Sequence, residues 1–425
     1  MIDELLAVIF SISIFTFTLW NILALLPERK NKKIMTYPTI SVVIPAHNEE
    51  KVIKSTIQSV LDATYPKDVE VIVVDDGSKD DTSKIVSGIA RKLKNVRLLK
   101  TNHLGKAKAV NHGIKNTDAE VVIMLDADSF ILPDALIKFI EVFQDSNVGA
   151  ASGIIRVVLN KNPLVWYQDF EYVLSSMWRY IIDKLDITYI LPGFCAFRRR
   201  AIIEVGGFET DTLSEDFDIG LKLRKAGWHI IMGKSVMHTN VPQTLGGVAR
   251  QRIRWGRGTM QVIRKHKDMV FNPRHGFIGL YGLPNQIYFF VQGIIILPIT
   301  FYQVFEGYYK YFVSNGHYLS VEALKYFFGW ASAFGAIELI YNVNAGVWPM
   351  SWTFPFFLVS YILTISYQLL ACKKMDGFKP QLIFSLVFFF PYYLFTLLFF
   401  VIPLLSEIKP KKKQNKDVNI WEKNM

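Results

Sequence analysis

Ile40-Ser41-Val42-Val43-Ile44-Pro45-Ala46-His47-Asn48-Glu49 joins a β-branched apolar run to a polar end, and the chain repeats that design downstream. Val69-Glu70-Val71-Ile72-Val73-Val74 runs into Asp75-Asp76-Gly77-Ser78, and Val121-Val122-Ile123-Met124-Leu125 runs into Asp126-Ala127-Asp128. A further apolar run covers residues 96–99, with helical patterns at 52–61 and 106–116 between the runs. Strands alternating with helices at this spacing predict an α/β, Rossmann-like domain built on a doubly wound parallel sheet. Ligands in such sheets bind beyond the carboxyl ends of the strands, where these polar residues fall.

The rest of the chain is organised around that domain. At 425 residues there is room for one large globular domain and a membrane part, and the 51% hydrophobic content is gathered at the two ends. Mean hydropathy is +0.23. Residues 5–26 carry no charge and are long enough to cross a hydrocarbon core, which needs about 20 helical residues. Asp3 and Glu4 precede this run and no small-residue cleavage site follows it, so an uncleaved anchor is expected rather than a signal peptide. Arg29, Lys30, Lys32 and Lys33 then mark the cytoplasmic side. The net charge of +11 lies largely beside hydrophobic segments, which fits topology and anionic lipid rather than nucleic acid. Cys195 and Cys372 indicate neither a disulfide framework nor a metal cluster.

Residues 163–185 interleave Trp166, Tyr167, Phe170, Tyr172, Trp178 and Tyr180 with a few charges, a pattern that suits either an interfacial helix or a core-facing one. A basic amphipathic stretch at 245–266 carries Gln251-Arg252-Ile253-Arg254-Trp255. Further spans are expected near 277–305, 325–347, 352–372 and 382–405, the second interrupted by Glu338, Asn342 and Asn344. If all four cross, the basic tail at 409–413 is cytoplasmic but Lys373, Lys374 and Lys379 are outside; if the second does not cross, those assignments swap. The expected organisation is an anchor at 1–27, a cytosolic catalytic domain at 28–240, interfacial basic helices at 241–273, membrane helices at 274–408 and a cytosolic tail at 409–425.

Three acidic motifs carry the chemistry. Asp126 and Asp128, on alternate residues at a strand end, can share a hard cation such as Mg²⁺ or Mn²⁺, although many such pairs are solvated turns or caps. Asp75-Asp76-Gly77-Ser78 reads as a turn with an N-cap, yet it would bring carboxylates to the same sheet edge. Ser214-Glu215-Asp216 opens a helical stretch, where acidic residues are favoured by the helix dipole alone. Asp216 is equally placed by type to act as a general base toward a sugar hydroxyl, and position decides between the two.

Taken in order, VVIPAHNEE, VVDDGS, GKAKAVNHG, DAD, GFCAFRR, SED and QRIRW resemble the processive family 2 membrane glycosyltransferases over residues 40–266. Within that group the chain looks most like the poly-β-1,6-N-acetylglucosamine synthases, with hyaluronan, chitin and cellulose synthases further off. The resemblance implies a GT-A catalytic domain. It implies that Pro45, Ala46, Glu49, Asp75 and Asp76 hold the uridine, with Lys106 near the nucleotide. Asp126 and Asp128 would bind the diphosphate through Mg²⁺ or Mn²⁺, and Asp216, beside Glu215, would be the catalytic base. Gln251 and Arg254 would contact the diphosphate, and Trp255 would form a platform for the acceptor sugar. The implied donor is a UDP-sugar, UDP-N-acetylglucosamine in first place with glucose and glucuronic acid open, and the implied product is a β-linked polysaccharide exported through a multi-pass plasma-membrane protein.

Three departures qualify this. The acidic motif reads Ser-Glu-Asp where Thr-Glu-Asp is usual; one hydrophobic segment precedes the catalytic domain where many relatives have two; and the Phe-x-Val-Thr-x-Lys motif of cellulose synthases does not follow QRIRW. The tail offers Ile420-Trp421-Glu422-Lys423, which resembles a terminal segment that closes over the nucleotide, with Trp421 and Lys423 as gating residues. That role needs a cytoplasmic tail and favours five spans. Transfer of one sugar to a lipid is the alternative activity, since ceramide glucosyltransferases carry a similar Arg-Trp motif, and a scaffold without turnover is the non-enzymatic one.

Overall fold

The computed structural model describes residues 2–28, 33–346, 350–375 and 377–407. Trp421 and Lys423 lie outside the described residues. Eight strands form one sheet: β1 Ile40–Ala46, β2 Val69–Asp76, β3 Val96–Thr101, β4 Val121–Leu125, β5 Ser129–Ile131, β6 Val148–Val157, β7 Phe194–Arg198 and β8 His229–Thr239. Their order is β3-β2-β1-β4-β7-β6-β8-β5.

The first half is the expected parallel sheet, with β1 flanked by β2 and β4 and β3 beyond β2. Every residue of β1 and β4 is buried, as a parallel strand covered on both faces requires. Val42 and Ile44 pack with Ile53, Ile57 and Val86 on one face, while Val43 packs with Val110 and Ile114 on the other. The second half departs from a purely parallel sheet. β7 runs antiparallel to both β4 and β6, and β5 runs antiparallel to β8. Strand periodicity encodes which residues alternate, but strand direction is set by the connections, and those here are not simple crossover helices.

Two long helices join this domain to the apolar part. Pro163–Asp183 begins at Asn162, whose side chain accepts the Leu164 N–H, with proline in the first turn. Its aromatic face packs inward on both sides. Arg156 on β6 makes a buried, two-pronged ion pair with its Asp169, while Phe170, Val173 and Met177 pack with Trp20, Tyr367 and Leu382 from the apolar helices. Leu245–Lys265 is capped by Thr244, whose hydroxyl accepts the Gly247 N–H. It packs along Phe389–Glu407 so closely that a Cβ at Gly256 would fall 2.2 Å from the Phe400 carbonyl oxygen.

Among the described residues, three helices are long and apolar enough to cross a membrane: Asp3–Leu25, Ile278–Val313 and Phe354–Met375. Pro380–Val387 and Phe389–Leu404 pass the same test together but are bent by 71°. The stretch expected as a span at 325–347 is instead broken into Val321–Ala331 and Phe334–Asn344, 11 residues each. At 1.5 Å per residue each reaches about 16 Å, roughly half a hydrocarbon core. Among the described residues, neither half of that stretch is long enough to cross alone. Gly335 makes the break possible, since a Cβ there would lie 2.1 Å from the Gly329 carbonyl oxygen.

The two ends of the bent pair lie on the same side of the apolar part. Lys374, at the end of Phe354–Met375, lies over the Tyr180 ring beside Lys184, whose ammonium donates to the Leu26 and Pro27 carbonyls. The pair thus starts on the face that carries the sheet domain. It turns where the Ala333 N–H donates to Val387 O, and its far end returns Phe400 and Leu404 to the cluster of Ile187, Tyr189, Phe217 and Leu283 on that same face.

Candidate active site

Residues far apart in sequence converge on one cavity of about 1570 Å³, lined at its inner end by Pro45, Glu49, Lys106, Asp126, Asp128, Glu215, Asp216, Gln251, Arg254 and Trp255. Parallel register puts the ends of β1 and β4 side by side, which brings Pro45 and Glu49 to the same edge as Asp126 and Asp128. The segment Leu191-Pro192-Gly193 ties two motifs together. The Asp126 N–H donates to Gly193 O, and the Leu191 N–H donates to Asp216 O, each at 3.3 Å. Gly193 also leaves the space in which Asp126 sits, because a Cβ there would lie 2.1 Å from Asp126 Oδ2.

Lys106 links the acidic motifs. Its Nζ is 2.7 Å from Asp126 Oδ1 and 3.5 Å from Glu215 Oε1. Burial favours the neutral amine, yet the two carboxylates raise its pKa above the ordinary lysine value and keep it charged. Burial, with Glu215 beside it, pushes the Asp216 carboxyl up to about 7, while Lys106 opposes the shift. Asp216 Oδ1 accepts the Phe217 N–H in the first turn of helix Glu215–Lys225, where the helix dipole also favours a carboxylate.

Helix Leu245–Lys265 reaches the acidic loop through another close approach. A Cβ at Gly258 would lie 2.1 Å from Ser214 Oγ, and Gln261 Oε1 accepts the Leu213 N–H at 2.9 Å. At its far end, Lys265 Nζ donates to Glu209, Asp211 and Asp218 at 2.6, 2.8 and 3.0 Å, and Asp218 also meets His266 at 2.7 Å. Glu209, Asp211 and Asp218 come close enough together to hold an ion, but the Lys265 ammonium fills that position and latches the helix to the sheet domain.

Three expected donor residues lie behind the cavity. Ala46, Asp75 and Asp76 are buried at the strand ends. Asp75 Oδ1 accepts the Ser78 N–H, a turn contact. Asp76 accepts from Thr101 Oγ1 at 2.5 Å and from the Leu104 and Gly105 N–H groups at 2.7 Å each. It therefore pins the loop that leads directly into Lys106, a role the Asp-Asp-Gly-Ser pattern did not reveal.

Sequence reasoning also missed Arg179 and Tyr172, which line the cavity from helix Pro163–Asp183. They are seven residues apart on one helical face, and that spacing inside an aromatic-rich stretch was the available signal. Burial pushes the Arg179 guanidinium down to about 10 and the Tyr172 hydroxyl up to about 12. Cys195 and Cys372 are both buried.

Comparison with known proteins agrees with this geometry. A profile of glycosyl transferase family 2 matches residues 41–206. A poly-beta-1,6-N-acetyl-D-glucosamine synthase of Staphylococcus aureus (strain COL) is 32% identical over 228 residues, 53% of this chain and 55% of that one. The match thus spans little more than half the length of that relative. The protein of the same name from Staphylococcus epidermidis is 31% identical over 295 residues, 68% of each chain. Among solved structures, a mannosyltransferase from Pyrobaculum calidifontis in complex with GDP-mannose and Mn²⁺ superimposes with a TM-score of 0.59 at 22% identity, covering 88% of this chain and 99% of that one, and so shares its fold. With Asp126, Asp128, the Ser-Glu-Asp loop and the QRIRW helix lining one cavity and two thirds of a relative aligned, the chain belongs to glycosyl transferase family 2.

Proposed function

We propose that this protein is a membrane-embedded inverting glycosyltransferase that moves N-acetylglucosamine from UDP-N-acetylglucosamine to a growing β-linked polymer and passes that polymer through its own membrane part. The observation that carries this reading is the continuity of the cavity. From Asp216 and Trp255 it runs on among the apolar helices past Gln292, Gln303, Trp330, Tyr361, Gln368 and Tyr393. Amide, hydroxyl and aromatic groups along an apolar path suit a sugar chain, whose rings present both hydroxyls and C–H faces. A transferase that adds one sugar to a lipid has less use for such a passage.

In the proposed reaction an acceptor hydroxyl attacks the anomeric carbon. Its proton passes to Asp216, the new C–O bond forms, and the bond from the anomeric carbon to the diphosphate breaks to release UDP. Attack opposite the leaving group inverts an α-linked donor to a β-linked product. Gln251 and Arg254 supply donors to the departing diphosphate, and Lys106 keeps a positive charge between Asp126 and Glu215 as negative charge develops nearby. Trp255 offers a ring to the apolar face of the acceptor. Asp126 and Asp128 fit a divalent cation such as Mg²⁺ or Mn²⁺: both offer hard oxygen donors on the cavity wall, and the missing side chain at Gly193 leaves room for the Asp126 carboxylate. When bound, that ion would neutralise diphosphate charge.

The sheet domain is assigned to the cytoplasm of a multi-pass plasma-membrane protein, by Arg29, Lys30, Lys32 and Lys33 after the first helix. The bent pair is read as re-entering rather than crossing. Three crossings then put Lys373, Lys374, Lys379 and the basic stretch at 409–413 all on the cytoplasmic side, and the charge rule is obeyed throughout. Purified protein in lipid nanodiscs with radiolabelled UDP-N-acetylglucosamine and Mg²⁺ or Mn²⁺ is expected to give a ladder of lengthening products. A single lipid-linked product would overturn the polymer assignment.

A further inference from the structure

Arg252, the second residue of the QRIRW motif, lies at the centre of a polar cluster and itself has no part in the proposed reaction. Arg252 is 2% exposed. Its guanidinium sits 4.1 Å from the centroid of the Trp255 ring, one helical turn further along. The same group donates to Glu171 Oε2 at 2.5 Å, to the Tyr392 hydroxyl at 3.2 Å and to Gln251 Oε1 at 2.7 Å. The Tyr392 hydroxyl in turn donates to Glu171 Oε2 at 2.6 Å. Tyr172 meets the Trp255 ring edge-on at 6.3 Å and 77°.

We infer that Arg252 is the positioning residue that fixes the Trp255 ring as the acceptor platform, and that Glu171 and Tyr392 fix Arg252. The inference rests on the proposed role of Trp255 toward the acceptor. An indole turns about two side-chain bonds, and a sugar can stack on it only if the ring face is held in register with the attacked carbon. The flat, delocalised guanidinium covers one face of the ring, and Tyr172 limits rotation from the edge, which leaves the other face for a ligand. Burying a guanidinium is costly unless its donors find acceptors; Glu171, Tyr392 and Gln251 accept from the two terminal nitrogens, while Nε is buried without a hydrogen bond. The three anchors come from three elements: Glu171 from the bridging helix, Gln251 from the QRIRW helix itself and Tyr392 from the bent pair in the membrane part. The orientation of the acceptor platform is thereby tied to the membrane helices beside the polymer path. Lysine in place of Arg252 keeps the charge but has neither the flat face nor the forked donors.

The test compares Arg252→Lys and Tyr392→Phe with the unaltered protein in nanodiscs, measuring KM for UDP-N-acetylglucosamine, turnover and product length. Arg252→Lys is expected to hold KM within about threefold while turnover falls about tenfold or more and products shorten, the split of a lost acceptor interaction. Tyr392→Phe removes one hydroxyl, leaves the ion pair to Glu171, and is expected to shift product length the same way by a smaller factor. Unaltered turnover and length in Arg252→Lys would overturn the inference, as would a rise in KM with product length unchanged. If Arg252→Lys does not fold, Tyr392→Phe decides alone, and products of normal length from it would overturn the inference. Failure of the polymerase reading is distinguishable, because then the unaltered protein itself makes no ladder.

Discussion

Gly193→Ala isolates the placement of one carboxylate. The backbone at Gly193 does not take the positive φ that favours glycine, so alanine is conformationally allowed there. The added Cβ would stand 2.1 Å from Asp126 Oδ2 and 2.8 Å from its Cγ, where contacts under 3.0 Å are essentially never found. The carboxylate must retreat by about 1 Å, and a misplacement of that size costs on the order of 10²-fold in rate. In free energy that is about 2.7 kcal/mol of transition-state stabilisation. Asp126 is a short side chain at the cavity wall and can rotate away, so the fold loses little while the 2.7 Å contact to Lys106 is broken. The assay is incorporation of label from UDP-N-acetylglucosamine alongside a thermal melt of the same preparation. The expected result is a large loss of kcat/KM with a melting temperature shifted by no more than a few degrees. Activity within about threefold of the unaltered protein would refute the reasoning, since Asp126 would then not need its observed position.

Other expectations follow from the same site. With Asp216 held near 7, kcat/KM should rise as pH increases through about 7 and flatten above it, and Lys106→Met should move that limb to higher pH by removing the cation that favours the carboxylate; a limb that stays in place would exclude Asp216 as the titrating base. The stability sign is opposite. The folded-state value lies above the ordinary aspartate range, so the contribution is present at low pH and lost as pH rises through 7, and Asp216→Asn, inactive in transfer, should melt higher than the unaltered protein at pH 8 with the difference closing toward pH 4. Asp169→Ala strands the buried Arg156 and should destabilise the protein by about 3–5 kcal/mol in chemical denaturation, whereas a loss under 1 kcal/mol would show that the pair is not needed. Gly258→Ala should lower activity more than stability, because its Cβ would strike Ser214 beside Glu215 and Asp216; a normal rate would show that the loop can yield.

Much of the architecture was legible because local pattern encodes local structure. Apolar runs place β1 through β4 and the helices after β1 and β3 to within a residue or two, though not helix Thr82–Ala90, and apolar length marks three helices long enough to span. The family resemblance carried by the ordered motifs gathered Pro45, Glu49, Lys106, Asp126, Asp128, Glu215, Asp216, Gln251, Arg254 and Trp255 as candidates, and all ten line one cavity. What only the tertiary structure decided are contacts between residues scores or hundreds of positions apart. The antiparallel entry of β7 depends on how connections pack, not on periodicity. Asp76 and Asp126 look alike as acids at strand ends, yet one accepts from the Thr101 hydroxyl and the Leu104 and Gly105 N–H groups and the other faces the cavity. Glu209, Asp211 and Asp218 become a latch only because Lys265 arrives from another helix. The apolar stretch at 325–347 had span-like composition, but whether a helix continues or breaks depends on what it packs against, and here Gly329 and Gly335 let the chain fold back on itself. Sequence supplies the residue types and their order; the energy of packing distant elements decides which of them meet.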